Sequence, residues 1–236
     1  MVYTLHSSFA GRLFRNKKDF IQDLHFSVSG VERVRFNGDL SELLDKDTIR
    51  VAIIGTRDID AKAREHIRML VNGLKDAATK SNKHVLIVSG LAIGVDFAAH
   101  KAALDCGVPT VAVLPTGLDN IYPNAHRGIA EKITETPGCG LLTQFEDGAA
   151  PIALNFLDRN ATIALISDIV IVIVVASKAK GGAMVTARLA CSFDTPVFAI
   201  PGDPDDVRRA GCNDLIRKGI AEMLPRWEDL SAVIKQ

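Results

Sequence analysis

The sequence predicts an α/β protein built on a doubly wound, mostly parallel, Rossmann-like sheet with a short N-terminal extension. Three observations predict it. From residue 50 onward, short wholly apolar runs at 51–54, 85–88 and 169–175 alternate with stretches of helical periodicity. Strands buried on both faces read this way, because helices cover both sides of a parallel sheet. The in/out alternation of an antiparallel sheet is missing from those runs. Strand after strand also ends near glycine, which suits sharp turns from strand into helix.

Taken in order, residues 1–30 mix Ser, Phe, Lys and Arg with weak periodicity and read as a helical or irregular extension; 31–236 form the domain proper. Across 31–36, Val31, Val34 and Phe36 stand against Glu32, Arg33 and Arg35, a half-exposed strand, and Asn37-Gly38-Asp39 supplies a turn. The run at 51–54 is the first core strand. Ala63, Ile67, Leu70, Val71, Leu74 and Ala78 follow at helical spacing. A strand at 85–88 leads to a helix over 97–104, and a strand at 110–114 leads to a helix over 124–133. A strand at 141–145 and a helix over 158–166 precede the most apolar strand, 169–175. Helix 183–191, strand 197–200 and helix 213–220 complete the rhythm. The C-terminal helical stretch carries Leu215, Ile216, Ile220, Met223 and Leu224, as core or as a dimer face.

The bulk numbers exclude several classes. A chain of 236 residues buries a substantial core without disulfide or metal staples. Its 28 basic and 28 acidic residues cancel, which removes the globally basic signal of a nucleic-acid binder but permits a local basic cleft. Cys106, Cys139, Cys191 and Cys212 lie far apart and read as small buried hydrophobes in a reducing cytoplasm. The longest apolar run, 163–176, is broken by Ser167 and Asp168 and falls short of the ~20 residues of a membrane span. The first 18 residues hold no secretory signal. The expectation is a cytoplasmic protein with no membrane association.

In an open parallel sheet, ligands bind outside the C-terminal strand ends, near the switch in strand order. Five glycine-bearing tips stand there: Gly55-Thr56-Arg57, the 89–96 segment from Ser89-Gly90 to Gly94-Val95-Asp96, Pro115-Thr116-Gly117-Leu118-Asp119, Lys180-Gly181-Gly182, and Pro201-Gly202-Asp203. One alone is a tight turn. Five together, two of them opening helices with free N–H groups, favour an anion site. The anion is neither a P-loop nucleoside triphosphate nor NAD, since GxxxxGK[ST] and GxGxxG are absent. No HExxH, cysteine pair or GxSxG appears, so neither a metal nor any other cofactor is expected. Arg57, Arg127, Arg159, Lys178, Lys180 and Arg188 lie near the tips, and several converging would neutralise successive phosphates. Tyr122 and Phe156, read as loop residues, are candidate base-stacking platforms; Phe97 reads as helix core.

An ordered set of segments carries a family resemblance. It comprises Val51 to Arg57, Ser89 to Asp96 with Ala99-His100, the stretch from Thr110 to Leu114 leading to Gly117-Leu118-Asp119 and Tyr122-Pro123, Asn155-Phe156 with Arg159-Asn160, Met184 to Ala187, and the stretch from Val197 to Gly202. Together these resemble the DNA-processing protein A (DprA/Smf) family, within the Rossmann-like SLOG-type superfamily. The resemblance implies a non-enzymatic single-stranded DNA-binding homodimer that helps load a RecA-type recombinase in DNA uptake or repair. It implies that Arg57 and Arg127 contact phosphates, that the 89–96 loop and the 181–186 turn present backbone N–H groups, and that Phe156 stacks on a base. The implied nucleic-acid- and phosphate-binding set is Gly55, Thr56, Arg57, Ser89, Gly90, Gly94, Asp96, Gly117, Tyr122, Arg127, Phe156, Arg159, Asn160, Lys180, Gly181, Gly182 and Thr186. The chain departs from the family pattern at Ala161, where a second basic residue is usual, and at Lys180-Gly181-Gly182, where Ser-Gly-Ser is usual. The alternative is a nucleotide-ligand-binding protein or nucleoside-monophosphate phosphoribohydrolase of the same superfamily. Against hydrolysis, the 180–186 stretch lacks the proline, third glycine and glutamate of those enzymes. Asp96, Asp119 and Asp203 could supply acid–base chemistry, although aspartates at strand tips more often cap helices.

Overall fold

The computed structural model describes residues 3–5, 34–173, 181–226 and 230–235. Its strands are β1 (Tyr3–Leu5), β2 (Val34–Gly38), β3 (Thr48–Ile54), β4 (His84–Ser89), β5 (Thr110–Val113), β6 (Gly140–Thr143), β7 (Ile169–Val172), β8 (Val197–Ala199) and β9 (Glu222–Met223). They form one sheet in the order β1-β2-β6-β5-β4-β3-β7-β8-β9. All neighbours from β6 to β9 are parallel, while β1 and β2 add an antiparallel edge. The chain steps from β3 out to β6, then returns to the other side of β3 with β7. The winding reverses between β3 and β7, as the doubly wound prediction requires.

Helices α1 (Ser41–Leu44), α2 (Ala61–Lys80), α3 (Val95–Asp105), α4 (Arg127–Glu135), α5 (Ala153–Ile166), α6 (Gly182–Ser192), α7 (Ala210–Arg217) and α8 (Ser231–Ile234) cover the sheet, with a 3-10 turn at Asn124–His126. Alternate residues of β3 go to opposite cores. Ala52 and Ile54 meet Ile163 of α5, Met184 of α6 and Leu215 of α7. Val51 and Ile53 meet Ile67 and Leu70 of α2, Ala99 of α3 and Val233 of α8. A third cluster packs Ala130 and Ile133 of α4 on Ala112 and Leu141. This two-sided burial explains why the core strands are apolar throughout. Each fully buried Leu or Ile contributes about 1.5–3 kcal/mol. Helix α2 starts where Asp60 Oδ1 accepts the Ala63 N–H at 2.7 Å, an N-cap.

One buried ion pair sits at the switch in winding. The wholly buried Arg50 of β3 donates through Nη2 to Asp168 Oδ1 at 2.8 Å and through Nε to Oδ2 at 3.1 Å. Its backbone N–H reaches the same Oδ2 at 2.9 Å, so Asp168 fixes the start of β7 beside β3.

Several expectations are corrected. The N-terminal extension supplies an edge strand at Tyr3–Leu5 rather than helix or irregular chain there. The expected turn at Asn37-Gly38 is the end of β2, because both residues stay in register with β6. Residues 31–33 of the expected strand, and 174–175 of the most apolar one, lie outside the described residues. The C-terminal helical stretch ends at Arg217, and β9 follows; Leu215 and Leu224 are core, whereas Met223 is exposed. Cys139 and Cys212 are buried as expected, but Cys191 is exposed near the end of α6. Among the described residues, no helix is long and apolar enough to cross a membrane.

Candidate functional site

A crevice of about 430 Å³ opens where the winding reverses. Its lining comes from four places: Ile54 at the end of β3 with Gly55, Thr56 and Arg57 beyond it; Ala92 and Asp96 after β4; Phe156, Arg159, Asn160 and Ile163 on α5; and Gly181, Gly182, Ala183 and Thr186 at the head of α6. A small adjoining pocket of about 30 Å³ shares Arg57, Ala92 and Phe156 and adds Gly90, Ile93, Pro115, Tyr122 and Pro123. Arg57 and Phe156 stand between the two.

The rim is cationic and aromatic. Arg57 is exposed and has no ion-pair partner among the described residues. The Tyr122 and Phe156 rings meet edge to face, 5.7 Å apart and 78° inclined, a favourable aromatic geometry. Phe156 lies on α5, not in a loop as expected, and with Arg159, Asn160 and Ile163 it forms one helical face at i, i+3, i+4, i+7. That spacing was the available signal for Ile163, which sequence reasoning missed; Ala92, Ile93 and Pro115 lie in tips it pointed to but were left out of the expected set. Opposite, Gly181 and Gly182 open α6; Gly181, the N-cap, has no side chain to bond the first-turn N–H groups, and among the described residues these remain for an anion. Asn160 Nδ2 and Thr186 Oγ1 both donate to the Gly182 carbonyl, at 3.4 and 3.1 Å, and so orient this helix start.

The floor is already satisfied by the protein itself. Arg159 is buried, and its Nη1 donates to the carbonyls of Gly90 and, at 3.2 Å, Val113, tying the tips of β4 and β5 together. Asp96 Oδ2 lies 4.0 Å from that nitrogen and accepts the N–H groups of Gly90 at 3.2 Å and Ala92 at 3.4 Å. Burial pushes the Asp96 carboxyl up from the usual range, against the pull of Arg159 and the two amides. Burial likewise lowers Arg159, with Asp96 opposing and Arg57 assisting. A Cβ at Gly90 would fall on the Arg159 guanidinium and force it to move. Gly94 has φ +90° and lets α3 close against the backbone of Thr56 and Arg57. Leu91, buried with φ +57°, is held by His126, whose Nδ1 lies 2.8 Å from its carbonyl oxygen.

The structure therefore divides the expected set. Gly55, Thr56, Arg57, Asp96, Phe156, Arg159, Asn160, Gly181, Gly182 and Thr186 line the crevice, and Gly90 and Tyr122 the adjoining pocket. Ser89 lies outside both, because it is fully buried with its hydroxyl given to the Ile53 carbonyl at 2.7 Å. Gly94 packs behind the lining, and Gly117 closes the β5 tip against the backbone of Glu146 and Asp147. Arg127 heads α4 beyond the β5 tip, exposed and outside both cavities, its Nε 3.3 Å from Asn124 Oδ1. The 89–96 loop does not offer the amides of Gly90 and Ala92, since Asp96 holds them. Asp96 thus binds its own strand tip rather than capping a helix. Asp119 accepts the Gly148 N–H at 3.0 Å, and Gly202 is bracketed by Asn213, so neither tip reaches the crevice. Arg188 lies farther along α6, off the crevice lining; Lys178 and Lys180 lie outside the described residues. Phe97 stacks on His126, ring centroids 4.5 Å apart. Among the described residues no His, Cys, Asp and Glu side chains gather as a metal-holding group. An exposed guanidinium, an uncapped helix start and two aromatic rings around a neutralised floor are suited to an extended anion carrying flat apolar groups.

Comparison with known proteins bears on this geometry. The sequence model of the DNA recombination-mediator protein A family matches residues 35–235. DNA processing protein DprA of Streptococcus pneumoniae is 32% identical over 207 residues, 82% of this chain and 69% of that protein. Protein Smf of Synechocystis is 39% identical over 148 residues, 62% of this chain but 36% of its own length, so the chain spans only about a third of that relative. The solved structure of DNA processing protein A from Helicobacter pylori, described for its single-stranded DNA binding mode, superposes with a TM-score of 0.78 at 28% identity, covering 100% of this chain and 96% of that one.

Proposed function

This chain belongs to the DNA recombination-mediator protein A family, and on that premise we propose that its crevice binds single-stranded DNA and presents it for recombination without transforming it chemically. The observation that carries the reading is one juxtaposition: Arg57, the open start of α6 and the Tyr122–Phe156 pair surround the same crevice. Phosphates would take Arg57 and the N–H groups at Gly181-Gly182, while bases lie against Phe156 and Tyr122. The H. pylori relative, described as binding single-stranded DNA, supports the assignment. Asn160, Thr186, Gly55 and Thr56 shape the groove. Arg127 extends the path along the same edge of the sheet. The proposal includes a homodimer, a RecA-type recombinase as partner, and a cytoplasmic place in DNA uptake or repair.

The commitment of Asp96 to two amides and Arg159 counts against nucleoside-monophosphate hydrolysis, which needs a carboxylate free to move a proton. Fluorescently labelled oligothymidylate, titrated across a salt series with duplex competitor, tests the reading. Affinity should fall linearly on a log–log plot, by about 0.7 per phosphate neutralised for a single strand, and duplex should compete poorly. Salt-independent binding, or equal affinity for duplex, would overturn it.

A further inference from the structure

The floor of the crevice contains an anion seat of two amides beside a guanidinium, and the protein's own carboxylate occupies it. Two backbone amides from a glycine-bearing strand tip, Gly90 and Ala92, converge with the Arg159 guanidinium. Such donors are what a phosphate recruits at a strand-to-helix turn of a doubly wound sheet. The two amides bond Asp96 Oδ2, while Arg159 Nη1, already given to the Gly90 and Val113 carbonyls, lends its charge from 4.0 Å, and Asp96 is 8% exposed. Its position is over-determined. Gly90 cannot carry a side chain without displacing Arg159, Leu91 is held in the left-handed region, and His126 clamps the Leu91 carbonyl.

Deepening the function proposed above, and resting on it, we propose that Asp96 is a specificity-determining residue: it fills the inner anion seat and thereby turns away free nucleotides. A phosphate monoester concentrates a charge of about −1.5 to −2 on one group near neutral pH. Bound at the floor, it would meet a carboxylate and find both amides already bonded. A polynucleotide has no such requirement. Its phosphodiesters carry one charge each, spread along the strand, and the rim supplies Arg57 and the α6 start for them. The neutralised floor is left to the sugar and base. One side chain would thus separate a strand-binding groove from a mononucleotide pocket on the same fold.

The test uses the full chain, with dTMP as competitor against labelled oligothymidylate and with inorganic phosphate as stabiliser in thermal melts. In the wild type, dTMP should fail to displace the oligonucleotide at millimolar concentration, and any rise in melting temperature with phosphate, from the rim alone, should be smaller than in the variant. Asp96→Ala removes the occupant and exposes the amides and Arg159. It should gain dTMP affinity by about tenfold or more, the worth of one strong charge-assisted contact, and its melting temperature should rise with added phosphate. A folded Asp96→Ala variant that binds dTMP no better than the wild type overturns the proposal. So does dTMP displacing the oligonucleotide from the wild type, a measurement that stands even where the variant fails to fold. A wild type that binds no oligonucleotide, beside a variant that gains dTMP, would sink the proposed DNA binding and leave the seat assignment intact.

Discussion

At Gly90, a hydrogen in place of a methyl group decides where Arg159 can lie. Gly90→Ala forces the guanidinium off the Gly90 and Val113 carbonyls and away from Asp96, leaving buried polar groups unpaired. The expected cost is about 2–4 kcal/mol in urea unfolding; a loss under about 0.5 kcal/mol would mean that the ties are dispensable. Arg57 stands at the other extreme. Arg57→Ala removes an exposed cation with no ion-pair partner among the described residues, so stability should hold within about 0.5 kcal/mol while the salt slope of DNA binding shrinks by about 0.7. A collapse in thermal stability would instead make Arg57 structural. His100 gives a pH signature. Its ordinary value is 6.5, and burial holds it down to about 3, with the His126 and Arg159 charges assisting. Between those values the unfolded chain takes a proton that the folded chain refuses. Stability is therefore complete above pH 6.5 and is lost as pH falls towards about 3, at up to about 1.4 kcal/mol per pH unit. Thermal melts of His100→Gln should show a shallower acid slope than the parent; parallel slopes would contradict this.

The β3–β7 contact is held at one end by Arg50 and Asp168, residues 118 apart in the chain. Asp168→Ala should cost about 3–5 kcal/mol, because it strands a fully buried guanidinium. Chemical denaturation measures it, and a loss below about 1 kcal/mol would show the pair to be replaceable. This pair also marks a limit of sequence reading. The apolar run 51–54 is visible, yet the strand begins at Thr48 and passes through Arg50, whose charge reads as exposed until its distant partner is known. The same holds for α5. It starts at Ala153 without a side-chain cap, so no start signal exists, and the expected boundary falls five residues late. That error placed Phe156 in a loop and hid the face it shares with Ile163. By contrast α2, six of whose seven buried positions stand at the expected helical spacing, was legible from Ala63 to Ala78 of its span Ala61–Lys80.

Across the whole molecule, the five glycine tips were legible and their meeting was not. Strand order decides which tips are neighbours. The pairing of β3 with both β4 and β7 brings Gly55, Gly90 and Gly181 around one opening, and leaves Gly117 and Gly202 to local packing. Charge behaves in the same way: 28 cations and 28 anions cancel, and only folding shows that Arg159 is spent internally while Arg57 remains available. The fold class therefore follows from periodicity alone, whereas the site needs the topology that periodicity does not encode. The most direct measurement is a crystal structure of the full chain with oligothymidylate. The strand should cross the crevice between β3 and β7, with one phosphate within hydrogen-bonding reach of Arg57, another at the Gly181-Gly182 amides, and a base against Phe156. A strand lying along a different face and leaving Arg57 in solvent would contradict the account.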